Sequence, residues 1–173
     1  FEKANAALGT ATPDYAMIYN CAVCAFQLKD YEKAVKYFDQ TIAGNYKPED
    51  SFYNKAMVRK LQKKNDEYLK VLNEGIAKFP ENPKFKLELS KYYLMEGSVQ
   101  YNKGAALLKS AVDKLTAKKY KDTKDPAYIA DIEKVKKEFS DAIPSLDKAL
   151  ELNPADATAK SIKAACEKQL KVL

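Results

Sequence analysis

The sequence predicts an all-α fold, a stack of antiparallel helix pairs closed by a capping helix at the C-terminal end. Three observations predict it. The chain repeats itself every 34 residues: Tyr19-Asn20 recurs as Tyr53-Asn54, Ala22 as Ala56 and then Ser90, Phe38 as Leu72, and Ile42 as Ile76. Apolar residues recur at helical spacing through most of the chain. Only 5 Gly and 7 Pro interrupt 173 residues, which suits long helices with tight connections. A fixed period of this length marks units that cannot bury their own apolar faces and therefore stack.

The chain opens on Phe1, Ala4, Ala7 and Leu8, an apolar helical spacing. Residues 1–9 read as the end of a truncated or processed preceding helix. A secretion signal could have been lost with it, so its absence does not establish a cytosolic location. The first unit covers 14–48. Its first helix carries Ile18, Cys21, Ala22, Ala25, Phe26 and Leu28, and Lys29-Asp30 marks the turn. Its second carries Tyr31, Ala34, Val35, Phe38 and Ile42, stops at Gly44-Asn45, and cannot pass Pro48. The second unit covers 49–82. Phe52, Ala56 and Leu61 mark its first helix; Tyr68, Leu72, Ile76 and Phe79 mark its second; Pro80 and Pro83 close it.

These residues resemble the tetratricopeptide repeat (TPR) pattern, W-x2-L-G-x2-Y, then A-x3-F, then P, over 34 residues. The first unit has it as Ile18-x2-Cys21-Ala22-x2-Ala25, Ala34-x3-Phe38 and Pro48. The second has it as Phe52-x2-Lys55-Ala56-x2-Arg59, Tyr68-x3-Leu72 and Pro80. Ala142-x3-Leu146 and Leu150-Glu151-Leu152-Asn153-Pro154 read as the second half of another unit. The resemblance implies a right-handed superhelical array forming a single domain over 1–173. The small positions have a physical reason: helices cross there, and Ala22, Ala34 and Ala56 belong at the crossings. The second unit departs from the pattern, with Tyr68 at a small position and Lys55 and Arg59 at apolar ones, which predicts a looser or twisted unit.

The larger departure begins at Pro83. Leu87, Leu89, Ser90, Tyr93 and Leu94 continue a first helix, but no proline follows until Pro126, and Val99, Tyr101, Ala105, Leu108, Ala111, Val112 and Leu115 keep helical spacing. Two parses compete. One makes Glu96-Gly97-Ser98 a turn, Gly104-x3-Leu108 the A-x3-F pair, and Asp125 to Pro154 a fourth unit. The other, favoured, makes 83–154 one enlarged hairpin: a helix from about Lys84 to Ala117, and a return from about Pro126 to Leu152. It resembles a bacterial TPR subgroup whose Tyr-Tyr-x-x-Gly helix is lengthened, here Tyr92-Tyr93-Leu94-Met95-Glu96-Gly97. It requires Gly97 and Gly104 in a helix, at about 1 kcal/mol each against alanine, and a kink at Pro144. Asp156 then caps a last, half-polar helix within 155–173, which seals the open end of the stack.

Chemistry is sparse. No histidine is present, which removes the commonest general base and excludes cysteine–histidine and serine–histidine nucleophile pairs. No two glycines lie closer than Gly97 and Gly104, so there is no glycine-rich phosphate loop. Cys21-x-x-Cys24 has redox or metal spacing but falls in mid-helix and reads as two small buried residues. The odd count of 3 Cys argues against a disulfide framework. The chain is predicted to be no enzyme, with no catalytic residues, no cofactor and no metal. No run approaches the ~20 apolar residues that span a bilayer. The net charge is +6, but Arg59 is the only arginine among 30 basic residues, and the lysines are interleaved with acids. Base-reading sites lean on the arginine fork, so no nucleic acid is expected.

The TPR resemblance implies a concave face lined by the first helix of each unit. Carried over, the partner-binding groove comprises Tyr19, Val23, Phe26, Tyr53, Met57, Lys60, Leu87 and Lys91. Such a lining suits docking of a peptide, a helix or a partner subunit. The alternative is a polyanion- or nucleic-acid-binding surface on the lysine-rich loop 118–124. The subgroup resemblance leans towards the bacterial cell envelope or periplasm, and the exposed N-terminal end leaves self-association open.

Overall fold

The computed structural model describes residues 13–173, so the expected helix end at 1–9 lies outside the described residues. Seven helices fill the described residues: α1 (Tyr15–Gln27), α2 (Tyr31–Ala43), α3 (Pro48–Leu61), α4 (Asn65–Lys78), α5 (Pro83–Thr116), α6 (Pro126–Leu152) and α7 (Ala157–Val172). No strand occurs among them. The chain divides into two compact units, Phe1–Lys86 and Leu87–Leu173, with the division inside α5.

The helix ends follow local chemistry. The side chains of Asp14, Asp30, Asp125 and Asp156 each accept a hydrogen bond from a backbone N–H in the first turn they cap. Pro48 opens α3 at its first position, where the missing N–H is not needed. Asn45 takes the left-handed conformation (φ 52°) that ends α2.

In the first unit, helices within a pair run antiparallel. Phe26 meets Tyr31 beside the α1–α2 turn, while Tyr19 meets Phe38 two turns further out. Likewise Lys60 lies over Tyr68 near the α3–α4 turn, and Phe52 meets Phe79 at the far end. First helices of successive pairs are offset by one repeat: Asn54 reaches Tyr19 and Lys84 reaches Asp50, partners 35 and 34 residues apart. The periodic small and large positions fill the interior, with Ala22, Ala34, Phe38, Ala56 and Leu72 all fully buried. The expected looseness of the second pair has a counter in its ion pairs. Lys55 bonds Asp39 at 2.6 Å, Arg59 Nε stands 2.8 Å from Glu67 Oε2 without hydrogen-bond geometry, and Tyr68 is buried where a small residue was expected.

In the second unit, α5 runs on through Gly97 and Gly104 and α6 returns beside it. Contacts march along both helices in opposite directions: Ser90 Oγ donates to Ala149 O, Tyr101 packs on Phe139, Lys103 pairs with Glu138, and Lys114 pairs with Asp131. Val135, Phe139, Ala142, Leu146 and Ala149 form the buried stripe of α6, and Ala159 and Cys166 of α7 close on it. Pro144 sits inside α6. It removes the bond that residue 140 would accept, but Ser140 and Pro144 are both exposed, so water can serve that carbonyl.

Candidate partner-binding face

Tyr19, Val23 and Phe26 recur at i, i+4 and i+7 along α1, and that spacing puts them on one face. All three are half-buried: their inner edges pack on the core of Ala22, Ala34, Val35 and Phe38, and their outer edges meet solvent. Tyr53, Met57 and Lys60 repeat the spacing on α3, with Tyr53 and Met57 half-buried and Lys60 exposed.

The two rows are joined. Asn54 Nδ2 donates to the Tyr19 hydroxyl at 3.3 Å. The Tyr19 ring stands edge-on to Phe38 and Tyr46, with centroids 6.0 and 6.1 Å away. Tyr53 is held the same way against Phe85 at 6.3 Å. Both tyrosines carry a lysine: Lys47 Nζ lies 5.0 Å from the Tyr19 centroid, and Lys84 Nζ 5.4 Å from that of Tyr53. Burial, and next the nearby Asp50 carboxylate, push the Tyr19 phenol above its ordinary pKa, so it stays neutral at physiological pH. Each ring has two rotatable bonds and a packed wall behind it, which leaves it little conformational freedom.

Leu87 and Lys91 lie one turn apart on α5, in the second unit. Leu87 is exposed, and Lys91 bonds the buried Glu88 carboxylate at 2.8 Å. The first unit therefore brings together six of the expected residues, and the second carries the other two. Lys47 escapes sequence reasoning. It belongs to no helix, sits in a left-handed turn (φ 42°), and reaches Tyr19 by a route that helical spacing does not describe.

The lysine-rich loop between α5 and α6 presents Lys118, Lys119, Lys121 and Lys124 to solvent. It is not a free tip. Tyr120 is buried, and its hydroxyl donates to Asp131 Oδ2 at 2.6 Å, where Lys114 also bonds at 2.8 Å; Lys134 bonds the other oxygen at 2.9 Å. Lys114 first, then Tyr120 and Lys134, hold the Asp131 carboxyl well below the usual carboxylate range.

Of the two α1 cysteines, Cys21 is buried but Cys24 is exposed, against the expectation of a buried pair. Among the described residues no group of His, Cys, Asp or Glu is arranged to hold a metal ion. No helix there is long and apolar enough to cross a membrane.

No family model matches the chain, and no curated protein matches it. Among solved structures, it is similar to a TPR repeats protein from Bacteroides fragilis NCTC 9343, at 24% identity over 90% of this chain and 83% of that one, with a TM-score of 0.49. That likeness adds nothing to the helix pairing and buried positions described above, which carry the fold by themselves.

Proposed function

We propose that the first unit is a non-catalytic docking scaffold that takes a peptide, a helix or a partner subunit on the face formed by Tyr19, Val23, Phe26, Tyr53 and Met57, with Lys60 at its margin. Leu87 and Lys91 serve the same role within the second unit, taken by itself. One observation carries the reading: two adjacent helices present half-exposed aromatic and aliphatic side chains whose inner halves are braced by Phe38 and Phe85. Anchors already held in place lose little conformational freedom on binding.

A displayed library of random peptides, panned on the immobilised chain, tests this. Selected peptides are expected to be rich in apolar residues, to compete with one another, and to lose retention on a Tyr53→Ala/Met57→Ala variant that melts cooperatively. Their retention should hardly respond to salt. Peptides retained equally by the variant, or released by moderate salt, count against this face and favour the lysine loop 118–124.

A further inference from the structure

Two cysteines stand one turn apart on α1, and they differ in access. Cys21 is buried and Cys24 is open to solvent; both are thiols. Cys166, in the second unit, is fully buried, and burial pushes its thiol up, so it takes no part in exchange. A reagent therefore meets Cys24 first, with Cys21 as the neighbouring thiol on the same helix.

Helix geometry sets what joining the pair requires. Side chains three residues apart on a helix have Cβ atoms about 5–6 Å from each other. A disulfide holds its Cβ atoms about 3.5–4.5 Å apart. Closing the bond draws the two positions together by roughly 1–2 Å. Ala22 and Val23, the residues between them, have to take up that movement. Ala22 is fully buried in the core it shares with Ala34 and Phe38, so it has no room to shift inward. The distortion falls on the backbone of this turn and on half-buried Val23, which belongs to the proposed docking row with Tyr19 and Phe26. The same turn carries the end of the helix: the Leu28 N–H donates to the Cys24 carbonyl at 2.9 Å, and the Asp30 N–H to that of Ala25 at 2.8 Å.

We infer that Cys21 and Cys24 form a redox switch of the docking face: a reversible disulfide within α1 that distorts the helix and takes Tyr19, Val23 and Phe26 out of line. This rests on the docking reading above. The oxidant is a small disulfide. The Cys24 thiolate attacks one of its sulfurs and releases one thiolate; the Cys21 sulfur then attacks the Cys24 sulfur and displaces the second. The two protein thiols lose two protons and two electrons, and the small disulfide leaves as two thiols. Strain from closing in mid-helix makes the bond easy to reduce, which suits a switch and not a structural staple.

Equilibration of the full chain in glutathione mixtures of graded poise tests the inference. Free thiols are counted by alkylation and mass, helicity is read by circular dichroism, and binding is read with one apolar peptide selected on the reduced wild-type chain. Cys21 and Cys24 should be lost together within one chain while Cys166 stays a thiol. The oxidised chain should lose helical signal, melt below the reduced chain and bind the peptide about tenfold more weakly, and dithiothreitol should restore all three. Cys24→Ser, at an exposed site, should fold as wild type, form no internal bond and bind the peptide alike in every mixture. Thiols that stay reduced throughout would overturn the inference. So would a glutathione adduct on Cys24 that never gives way to the internal bond, a disulfide between chains, or an internal disulfide that leaves helicity or peptide binding unchanged. An internal disulfide that distorts α1 when neither form binds any selected peptide would support the redox step and overturn the docking reading alone.

Discussion

Gly97 of α5 lies against Leu146 of α6 so closely that a Cβ on Gly97 would stand 2.6 Å from the Leu146 Cγ. The Ala142 carbonyl oxygen would be 3.2 Å away. The glycine is there for contact between helices and not for a turn. Gly97→Ala gains about 1 kcal/mol of helix propensity, but overpacking of this kind typically costs about 1–3 kcal/mol. The variant should melt below wild type, with a lower urea midpoint and an unchanged slope. A higher midpoint would mean that the two helices can move apart freely.

The same packing logic applies to the repeated small positions. Ala56 of α3 is fully buried. Ala56→Leu should destabilise by about 1–3 kcal/mol in chemical denaturation. Full tolerance would show that the packing around it has slack.

The left-handed lysines point the other way. Lys29, Lys63 and Lys118 each hold a positive φ after a first helix. Replacing each by glycine should stabilise by about 0.5–1 kcal/mol, read as a raised melting temperature. Lysine at a helix C-terminus recovers part of the strain through the helix dipole, so the gain should be larger at high salt.

Asp131 gives a pH signature. Its pKa is held below that of an unfolded carboxylate by Lys114, Tyr120 and Lys134. The stability it contributes is therefore fully present above about pH 4 and is lost as pH falls below that range. Asp131→Asn should melt below wild type at neutral pH, and the gap should close on acidification. A gap that stays constant from neutral to acidic pH would show that the charge is not what anchors Tyr120.

Much of this was legible in the residues. Steric demand where helices pack leaves a periodic trace, so Ala22, Ala56 and Ser90 pair by their spacing alone, and all three are buried. The long spacing of apolar residues past Gly97 favoured a continuous helix because no proline stood in the way. What was not legible depends on partners distant in sequence. Tyr120 lies in a lysine-rich stretch that reads as solvent, and Asp131 and Tyr128, across the loop, draw it inward. Lys55 and Arg59 read as breaks in the pattern, yet acids on neighbouring helices answer them. For the proposed docking face, the TPR resemblance supplied the rows on α1 and α3, but not Lys47, which reaches Tyr19 from a turn.

The proposed docking face is tested most directly by titrating one apolar peptide, selected on the wild-type chain, against wild type and Tyr53→Ala/Met57→Ala by fluorescence anisotropy at low and high salt. At least tenfold weaker binding by the variant is expected, about 1.4 kcal/mol or more, with little salt dependence in either protein. Equal affinity for both proteins, or affinity that collapses with salt, would rule this face out.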